Sequence, residues 1–252
     1  DVKSWPLGDL ESSRTPLGIS RRQWIRGAAI LAGAGLLGRW GRADDAAGDL
    51  GRLLVHTESP RNAETPLEVL LEKWITPVKD FYVRSHAPNP VIDPAAYRLE
   101  VSGLVGKPLS LAAAEVRQRY PAAEVTATLC CAGNRRQEHS LVKPVEGVPW
   151  GAGALGNANW GGVSLRDILK HAEISPEAKH VWFEGLDQHE KRGQMTVFGG
   201  SVPLDRVMSG DPAAEVLVAD MMNGASLTAD HGAPLRTIVP GYIGARSVKW
   251  LS

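Results

Sequence analysis

The amino-acid sequence predicts an α+β fold. Predicted strands and helices alternate irregularly along the chain, and none of the helical segments is long. A doubly wound α/β fold would show a regular strand–helix–strand rhythm with long helices, and this rhythm is absent. The 252 residues, 43% of them hydrophobic, suffice for one sizeable domain with its own core, alone or preceded by a leader.

The first part of the folded region is predicted to be irregular. Residues 44–78 are interpreted as a connecting arm, because Pro60, Pro66 and Pro77 interrupt regular structure. The first predicted strand follows at residues 97–101, where apolar and polar side chains alternate.

A short helix and a strand are predicted next. Ser110 is placed to cap a helix over residues 111–119, and Pro121 ends that helix. Residues 124–129 have the composition of a strand that runs into two adjacent cysteines.

The second half of the chain is predicted to combine one ordered loop, one helix and several strands. Residues 147–162 are rich in Gly and Asn, which predicts an ordered loop. Ser164 and Asp167 form a capping-box pattern that opens a helix over residues 165–171. Further strands are predicted at residues 180–184, 215–219, 236–239 and 247–251, with a turn at Pro240-Gly241 between the last two.

Charge and cysteine content exclude several classes of function. The formal net charge is zero, so bulk binding to nucleic acid or to an anionic membrane is not expected. The two cysteines, Cys130 and Cys131, are adjacent. They therefore form neither a disulfide framework nor a structural zinc site, which needs about four ligands at open spacing. Two small buried hydrophobic side chains are the ordinary alternative for such a pair.

The N-terminal region has the pattern of an export leader. Two arginines, Arg21 and Arg22, precede the apolar residues 27–38. This apolar run is shorter than the roughly 20 residues that a membrane-spanning helix needs. The pattern resembles a twin-arginine signal over residues 1–43, which predicts export to the periplasm. The alternative is a buried Ala/Gly-rich helix, for which the glycines are unfavourable.

Residues 131–136, Cys-Ala-Gly-Asn-Arg-Arg, combine groups suited to a metal and to an anion. Gly133 permits a tight turn and Asn134 tolerates left-handed geometry, so both arginines are expected to fold back towards the thiol. Nearby guanidinium groups favour a thiolate, which is a soft ligand for transition metals. A guanidinium also matches a tetrahedral oxyanion. A β-turn with two solvated arginines is the alternative.

The segment Thr128–Arg136 resembles the motif of the sulfite oxidase and plant-type nitrate reductase family. In that family the cysteine before Ala-Gly-Asn-Arg-Arg binds molybdenum, which implies Cys131 as the metal ligand and leaves Cys130 as a packing residue. Five further segments resemble the family in the same order: Phe81–His86, Trp150–Asp167, Phe183–Asp187, Asp230–Arg236 and Val239–Trp250.

The resemblance implies a set of site residues. Three side chains are expected at the substrate: Arg84, His86 and Arg136. The residues expected at the pterin cofactor are Tyr82, Val83, Arg84, Ser85, His86, Asp187, His231, Arg236, Ser247, Val248 and Lys249. Four further histidines have no such match and are interpreted as structural: His139, His171, His180 and His189.

The resemblance also implies an activity. An exported molybdenum–molybdopterin oxidoreductase would oxidise sulfite to sulfate by oxo transfer and pass electrons to an external acceptor, such as a c-type cytochrome. Residues 79–252 would form the molybdopterin-binding domain, and a C-terminal domain that forms homodimers would follow the last residue. No haem is expected, because the chain lacks a Cys-x-x-Cys-His motif. The alternatives are the same fold acting on nitrate or sulfane sulfur, and a cofactor-free remnant with a structural or binding role.

Overall fold

A computed structural model describes residues 51–191 and 193–252. The strands are β1 (Leu54–Thr57), β2 (Asn62–Glu64), β3 (Val83–Arg84), β4 (Leu99–Val101), β5 (Leu109–Leu111), β6 (Ala122–Cys130), β7 (Leu155–Ser164), β8 (His180–Lys191), β9 (Gln194–Pro203), β10 (Leu217–Met222), β11 (Ala225–Ser226) and β12 (Arg236–Ile238). The α-helices are α1 (Leu67–Glu72), α2 (Ala113–Arg119), α3 (Arg136–His139), α4 (Leu165–His171) and α5 (Leu204–Met208). Short 3-10 helices lie at Val78–Asp80, Pro212–Ala214, Ala229–His231 and Gly244–Arg246.

The described strands form antiparallel sheets with short helices beside them, which confirms the α+β prediction. The largest sheet has the order β11-β10-β7-β6, and β12 also pairs with β10. A three-stranded sheet has the order β1-β2-β3, and two hairpins consist of β4-β5 and β8-β9. None of the helices in residues 51–191 and 193–252 has the length and apolar character needed to cross a membrane.

Strand β6 brings the cysteine motif to the end of the largest sheet. Val125, Ala127 and Leu129 are buried while the alternate side chains are more exposed, as the two-residue period of a strand requires. The register with β7 runs from Ala122 opposite Val163 to Cys130 opposite Leu155. Cys131 is therefore the first residue beyond the strand.

The predicted ordered loop over residues 147–162 is wrong from residue 155 onward, because these residues belong to β7. Glycine is typical of loops, but in this strand the glycines allow close contacts with neighbouring segments. A Cβ atom on Gly156 would lie 2.5 Å from the ring of Phe81, and one on Gly162 would lie 2.1 Å from the carbonyl oxygen of Val218.

Both predicted helices between strands are present, but neither Ser110 nor Ser164 makes the predicted side-chain capping bond. Ser110 lies in β5 and donates a hydrogen bond to Glu100 (2.6 Å). At the start of α2, Glu115 instead accepts a hydrogen bond from the backbone N–H of Ala112 (2.8 Å). Ser164 precedes α4 as expected, but its hydroxyl donates to Glu215 and makes no capping bond.

The predicted strand over residues 247–251 is wrong, and one hairpin strand was missed. Apart from one isolated bridge between Leu251 and Gly185, the segment does not pair as a strand. Its backbone is held by the side chain of Thr237, which accepts from the N–H of Val248 (2.7 Å), and Trp250 has a positive φ of 49°. The strand predicted at residues 180–184 is longer than expected and pairs with the unpredicted β9.

The segment interpreted as a connecting arm contains regular elements in its described part. Strand β2 lies between β1 and β3, and Asn62 faces Arg84 in the register of β2 and β3. Pro66 directly precedes α1, and Pro77 directly precedes a 3-10 helix. The boundary at residue 79 stays a prediction, but the residues before it support the structure around β3.

Two clusters of buried hydrophobic side chains form the core of the described residues. One includes Phe81, Trp150 and Trp160. The other includes Leu235 and Val248. The turn after β6 and the segment before the C-terminus are both anchored on these clusters, so the side chains that they carry are held in defined positions.

Candidate functional site

A cavity of about 180 Å³ lies where the end of β6 meets β3, β8 and the segment around residue 247. Side chains from all of these elements line it. They include, among the predicted site residues, Tyr82, Arg84, Ser85, His86, Cys131, Arg136, Asp187, His231, Arg236, Ser247 and Lys249. The structure therefore brings eleven of the predicted site residues together around one cavity.

Cys131 is held at the cavity by the turn that follows β6. Its backbone N–H donates to the carbonyl of Ala154 (2.9 Å), and its carbonyl accepts from Asn134 (3.0 Å). The Sγ atom lies 3.4 Å from the backbone N–H of Gly133, which donates to it. Cys130 does not line the cavity, and its thiol donates to the carbonyl of Cys131 (3.6 Å). The two adjacent thiols thus have different surroundings.

The two arginines of the motif point in different directions. Arg135 has a left-handed backbone (φ 65°), and its side chain forms an exposed ion pair with Glu138 (2.6 Å). Arg136 lines the cavity and donates to the carbonyl of Val148 (2.9 Å). A Cβ atom on Gly133 would lie 2.7 Å from the guanidinium of Arg136, so glycine is needed for this packing. The expectation that both arginines fold back towards the thiol is therefore wrong for Arg135.

Arg84 brings a second guanidinium to the same cavity from β3. Its Nη1 atom donates to Oδ1 of Asn62 (3.0 Å) and to the carbonyl of Ser85. Burial lowers the pKa of Arg84, while the Cys131 thiol nearby raises it, and the arginine stays charged at neutral pH. Two positive side chains, Arg84 and Arg136, thus share the cavity with one thiol.

His86 lines the cavity and is exposed. Its ring stacks on Phe198, with centroids 4.4 Å apart and planes at 16°. Burial of part of the ring lowers the pKa of His86 and the charge of Arg84 lowers it further, although the residue remains open to the cavity. The imidazole is therefore neutral at neutral pH. His189, interpreted as structural from the sequence, lies beside it at 5.5 Å between ring centroids.

A further guanidinium, that of Arg236, is buried within the cavity wall. The residue is 5% exposed and donates to the carbonyls of His231 (2.8 Å) and Ser247 (3.0 Å). Its carbon Cζ lies 5.0 Å from the ring centroid of Trp160. Burial lowers the pKa of Arg236 to about 10, so it remains charged at neutral pH. Its Nε atom is buried and has no hydrogen-bond partner in the described protein.

Lys249 reaches the cavity beside this arginine. Its Nζ atom donates to the hydroxyl of Ser85 (2.9 Å) and to the carbonyl of Asp230 (2.9 Å), and lies 4.0 Å from the ring centroid of Trp250. Burial, followed by the charge of Arg236, lowers the pKa of Lys249 to about 7. An anion placed next to Lys249 would favour its charged form.

The acidic side chains at the cavity do not balance its positive charge. Asp187 is buried, and burial raises its pKa. Asp230 is already bound by Arg61 (2.8 Å) and Asn89 (2.8 Å). Arg84, Arg136, Arg236 and Lys249 line the same space. Arg236 is buried and the other three cations are half-buried, and charges withdrawn from water need a partner, so this excess of cations suits a cavity that binds anions.

Of the remaining predicted site residues, some line the cavity and others do not. Tyr82 lines the cavity and burial raises its pKa, so it stays a neutral phenol. His231 is buried with Nε2 3.2 Å from the carbonyl of Val78, and burial lowers its pKa to about 4. Val83 and Val248 are buried but are not among the lining residues, so their side chains do not face the cavity.

Sequence reasoning missed several residues of the site. Phe198 and Trp250 line the cavity. Asn62 binds Arg84 from β2, in the segment interpreted as a connecting arm. Phe198 lies in the hairpin strand that was not predicted, and no local pattern marked it. Within the described residues, no group of three or more His, Cys, Asp or Glu side chains is arranged to hold a metal ion.

Comparisons with known proteins find a family model and several relatives that are similar to this chain. Residues 86–252 match the family model described as the oxidoreductase molybdopterin binding domain. The chain is 50% identical over 214 residues to sulfite oxidase of Gallus gallus, which covers 82% of this chain and 46% of that protein. It is 43% identical over 196 residues to nitrate reductase (NADH) 1 of Phaseolus vulgaris, covering 76% of this chain and 22% of that protein. The chain thus spans less than half the length of both relatives.

A solved structure has the same fold. The crystal structure of the sulfane dehydrogenase SoxCD from Paracoccus pantotrophus matches with a TM-score of 0.65 and 30% sequence identity. The match covers 88% of this chain and 57% of that chain. The fold that carries the cavity is therefore shared with a protein whose sequence is considerably more distant.

Proposed function

Because this chain belongs to the oxidoreductase molybdopterin-binding domain family, we propose that it binds a molybdenum–pterin cofactor in the cavity and oxidises sulfite to sulfate. The observation that carries the proposal is the placement of one thiol, that of Cys131, beside the two guanidiniums of Arg84 and Arg136. A thiol suits a transition metal, and two guanidiniums suit a doubly charged oxyanion.

The donor set of the cavity fits the proposed cofactor. Arg236 has a buried Nε atom to which no group among the described residues is hydrogen-bonded, and Lys249 lies beside it, so a phosphate on the pterin would find two cations there. Cys131 would be the protein ligand of molybdenum. When bound, the cofactor supplies two-electron redox chemistry and oxygen transfer. The other proposed cofactor contacts are Tyr82, Val83, Ser85, His86, Asp187, His231, Ser247 and Val248. The contacts of Val83 and Val248 would come from their backbone groups, because their side chains do not face the cavity.

The proposed roles of the side chains near the thiol follow from charge and hydrogen bonding. Sulfite is a small anion, and Arg84 and Arg136 would hold its oxygens and stabilise the charge of sulfate as it forms. His86 is neutral and would orient the anion with one hydrogen bond. The overall reaction consumes sulfite and water and yields sulfate, two protons and two electrons.

Sulfite is proposed ahead of two alternative substrates. The relative named sulfite oxidase is 50% identical to this chain, whereas the structure named sulfane dehydrogenase is 30% identical. Nitrate is the third candidate, since a nitrate reductase is 43% identical. A cofactor-free remnant is disfavoured because the thiol and the cations of the cavity are all present.

The experiment expresses the protein in a host that makes the molybdenum cofactor. Bound molybdenum and pterin are quantified first. Oxidation of sulfite and of thiosulfate is then assayed with ferricyanide or cytochrome c as the electron acceptor. Reduction of nitrate is assayed in parallel with a reduced viologen as the electron donor. Sulfite turnover above the other two supports the proposal. Faster turnover of nitrate or of a sulfane-sulfur compound would overturn the substrate assignment and leave the cofactor assignment in place.

Export and electron transfer are proposed on the sequence alone. Residues 1–43, which lie outside the described residues, are proposed to be a twin-arginine leader that directs the protein to the periplasm. A c-type cytochrome is the proposed acceptor there. Fusing residues 1–43 to a reporter tests the leader: replacing Arg21 and Arg22 with lysine should stop export, and continued export by the twin-arginine route would contradict the assignment.

A further inference from the structure

We propose that Asn62 is a positioning residue that directs the guanidinium of Arg84 at the substrate anion. The inference rests on the proposed function, because it assigns Asn62 a part in binding the anion. Asn62 lies in β2 and is 1% exposed. Its partner in the register of β2 and β3 is Arg84 itself.

Every hydrogen-bonding group of the Asn62 amide is used. Its Oδ1 atom accepts from Nη1 of Arg84 (3.0 Å) and from the backbone N–H of Ser85 (3.1 Å). Its Nδ2 atom donates to Oγ1 of Thr57 (2.9 Å) and to the carbonyl of Pro60 (2.9 Å). An amide has two acceptor sites and two donors, so this side chain is fully satisfied. The orientation of Oδ1 is therefore fixed from both sides.

Anchoring at one nitrogen leaves the rest of the guanidinium for the substrate. Both hydrogen bonds that the described protein provides to the Arg84 side chain involve Nη1. An unanchored arginine would sample many rotamers, and ordering it on binding would weaken the affinity for the anion. Asn62 removes this disorder before the anion binds. The remaining N–H groups of Arg84 can then face the cavity that Arg84 lines.

The neutral character of Asn62 suits this task. A carboxylate at the same distance would hold the guanidinium equally well but would largely cancel its charge. An amide oxygen holds Arg84 and preserves the positive charge that the anion needs. The same Oδ1 atom also fixes the backbone of Ser85, whose hydroxyl accepts from Lys249 (2.9 Å). Asn62 therefore supports two cationic side chains at the cavity without neutralising either.

The test compares three variants in the molybdenum-loaded protein. Asn62→Ala removes the acceptor, and Asn62→Asp keeps an oxygen at its place but adds a negative charge. Thr57→Val is the matched control, because it removes one hydrogen bond from Nδ2 of Asn62 while the carbonyl of Pro60 still accepts from the same nitrogen and keeps Oδ1 directed at Arg84. The measurements are molybdenum content, melting temperature, sulfate affinity by calorimetry, and KM and kcat for sulfite.

The expected results distinguish a role of Asn62 in positioning Arg84 from a role in stabilising the fold. Asn62→Ala should weaken sulfate binding and raise the KM for sulfite by roughly tenfold, the effect of losing about one hydrogen bond, with a much smaller change in kcat. Asn62→Asp should weaken sulfate binding at least as much, and the dependence of binding on ionic strength should become shallower. Thr57→Val should lower the melting temperature and leave the sulfate affinity at the wild-type value.

Several outcomes would overturn the proposal. If Asn62→Ala only lowers the melting temperature, or if Thr57→Val weakens sulfate binding equally, then β2 merely supports the fold. If Asn62→Asp binds sulfate as tightly as the wild type does, the charge argument is refuted and the proposal fails with it. The proposal also fails if the wild type does not bind sulfate. If the wild type binds sulfate but does not oxidise sulfite, the proposed function fails, while the sulfate comparison still decides the role of Asn62.

Discussion

Replacing Arg136 with glutamine should weaken the binding of the substrate anion without disrupting the structure of the cavity. The Arg136 guanidinium lines the cavity and is held in place by a hydrogen bond to the carbonyl of Val148 (2.9 Å). A hydrogen bond to a charged group contributes about 1.5–3 kcal/mol, and about 1.4 kcal/mol corresponds to one decade. Arg136→Gln should therefore lower kcat/KM for sulfite by about 10- to 100-fold, measured by steady-state kinetics with ferricyanide or cytochrome c as acceptor.

The neighbouring arginine provides the control for this prediction. Arg135 belongs to the same turn, but its side chain forms an exposed ion pair with Glu138 (2.6 Å) and does not line the cavity. Exposed ion pairs contribute about 0–1 kcal/mol, so Arg135→Gln should leave the kinetics nearly unchanged. Equal losses in both variants, or unchanged kinetics in Arg136→Gln, would refute the assignment of Arg136 to the anion.

Two further predictions concern the fold and the charge of the cavity. A Cβ atom on Gly162 would lie 2.1 Å from the carbonyl of Val218. Gly162→Ala should therefore lower the free energy of unfolding, measured in urea, by about 3 kcal/mol or more, whereas Gly161→Ala should lower it by less than about 1 kcal/mol. Equal effects of the two substitutions would contradict the register of β7 and β10. Burial lowers the pKa of Lys249 to about 7 from its ordinary 10.5, so the unfolded chain binds more protons between these pH values, and the stability of the cofactor-free protein should rise with pH across that window. Lys249→Met should make this rise shallower, and an identical pH dependence in both proteins would contradict the burial of the lysine.

Local motifs made a large part of the site predictable. Cys131 and Arg136 lie in one turn, and the Gly and Asn residues of that turn predicted a reversal of the chain after a strand. The structure has this reversal at the end of β6. Ser85 and Lys249 were also expected at the cofactor, and they meet through a hydrogen bond of 2.9 Å across 164 residues of sequence. That contact itself could not be predicted from either segment alone.

The parts that sequence reasoning missed depend on contacts between distant segments. In the sequence, Asn62 is one residue of a proline-rich segment and carries no distinguishing pattern. Its position next to Arg84 depends on the pairing of β2 with β3. The glycines of β7 reduced its apparent strand propensity, although close packing against Phe81 requires them. Arg135 and Arg136 are identical in residue type, but Arg135 has a positive φ and an exposed side chain paired with Glu138, whereas Arg136 lines the cavity.

Cys131 is proposed as the protein ligand of molybdenum. X-ray absorption at the molybdenum edge identifies the sulfur ligands of the metal in the cofactor-loaded wild type, Cys131→Ser and Cys130→Ser. One cysteine sulfur is expected at the metal in the wild type and in Cys130→Ser, because the Cys130 thiol does not line the cavity. That sulfur should be lost in Cys131→Ser, with the pterin sulfurs retained wherever the cofactor stays bound. A cysteine sulfur that persists in Cys131→Ser and disappears in Cys130→Ser would contradict the assignment of Cys131.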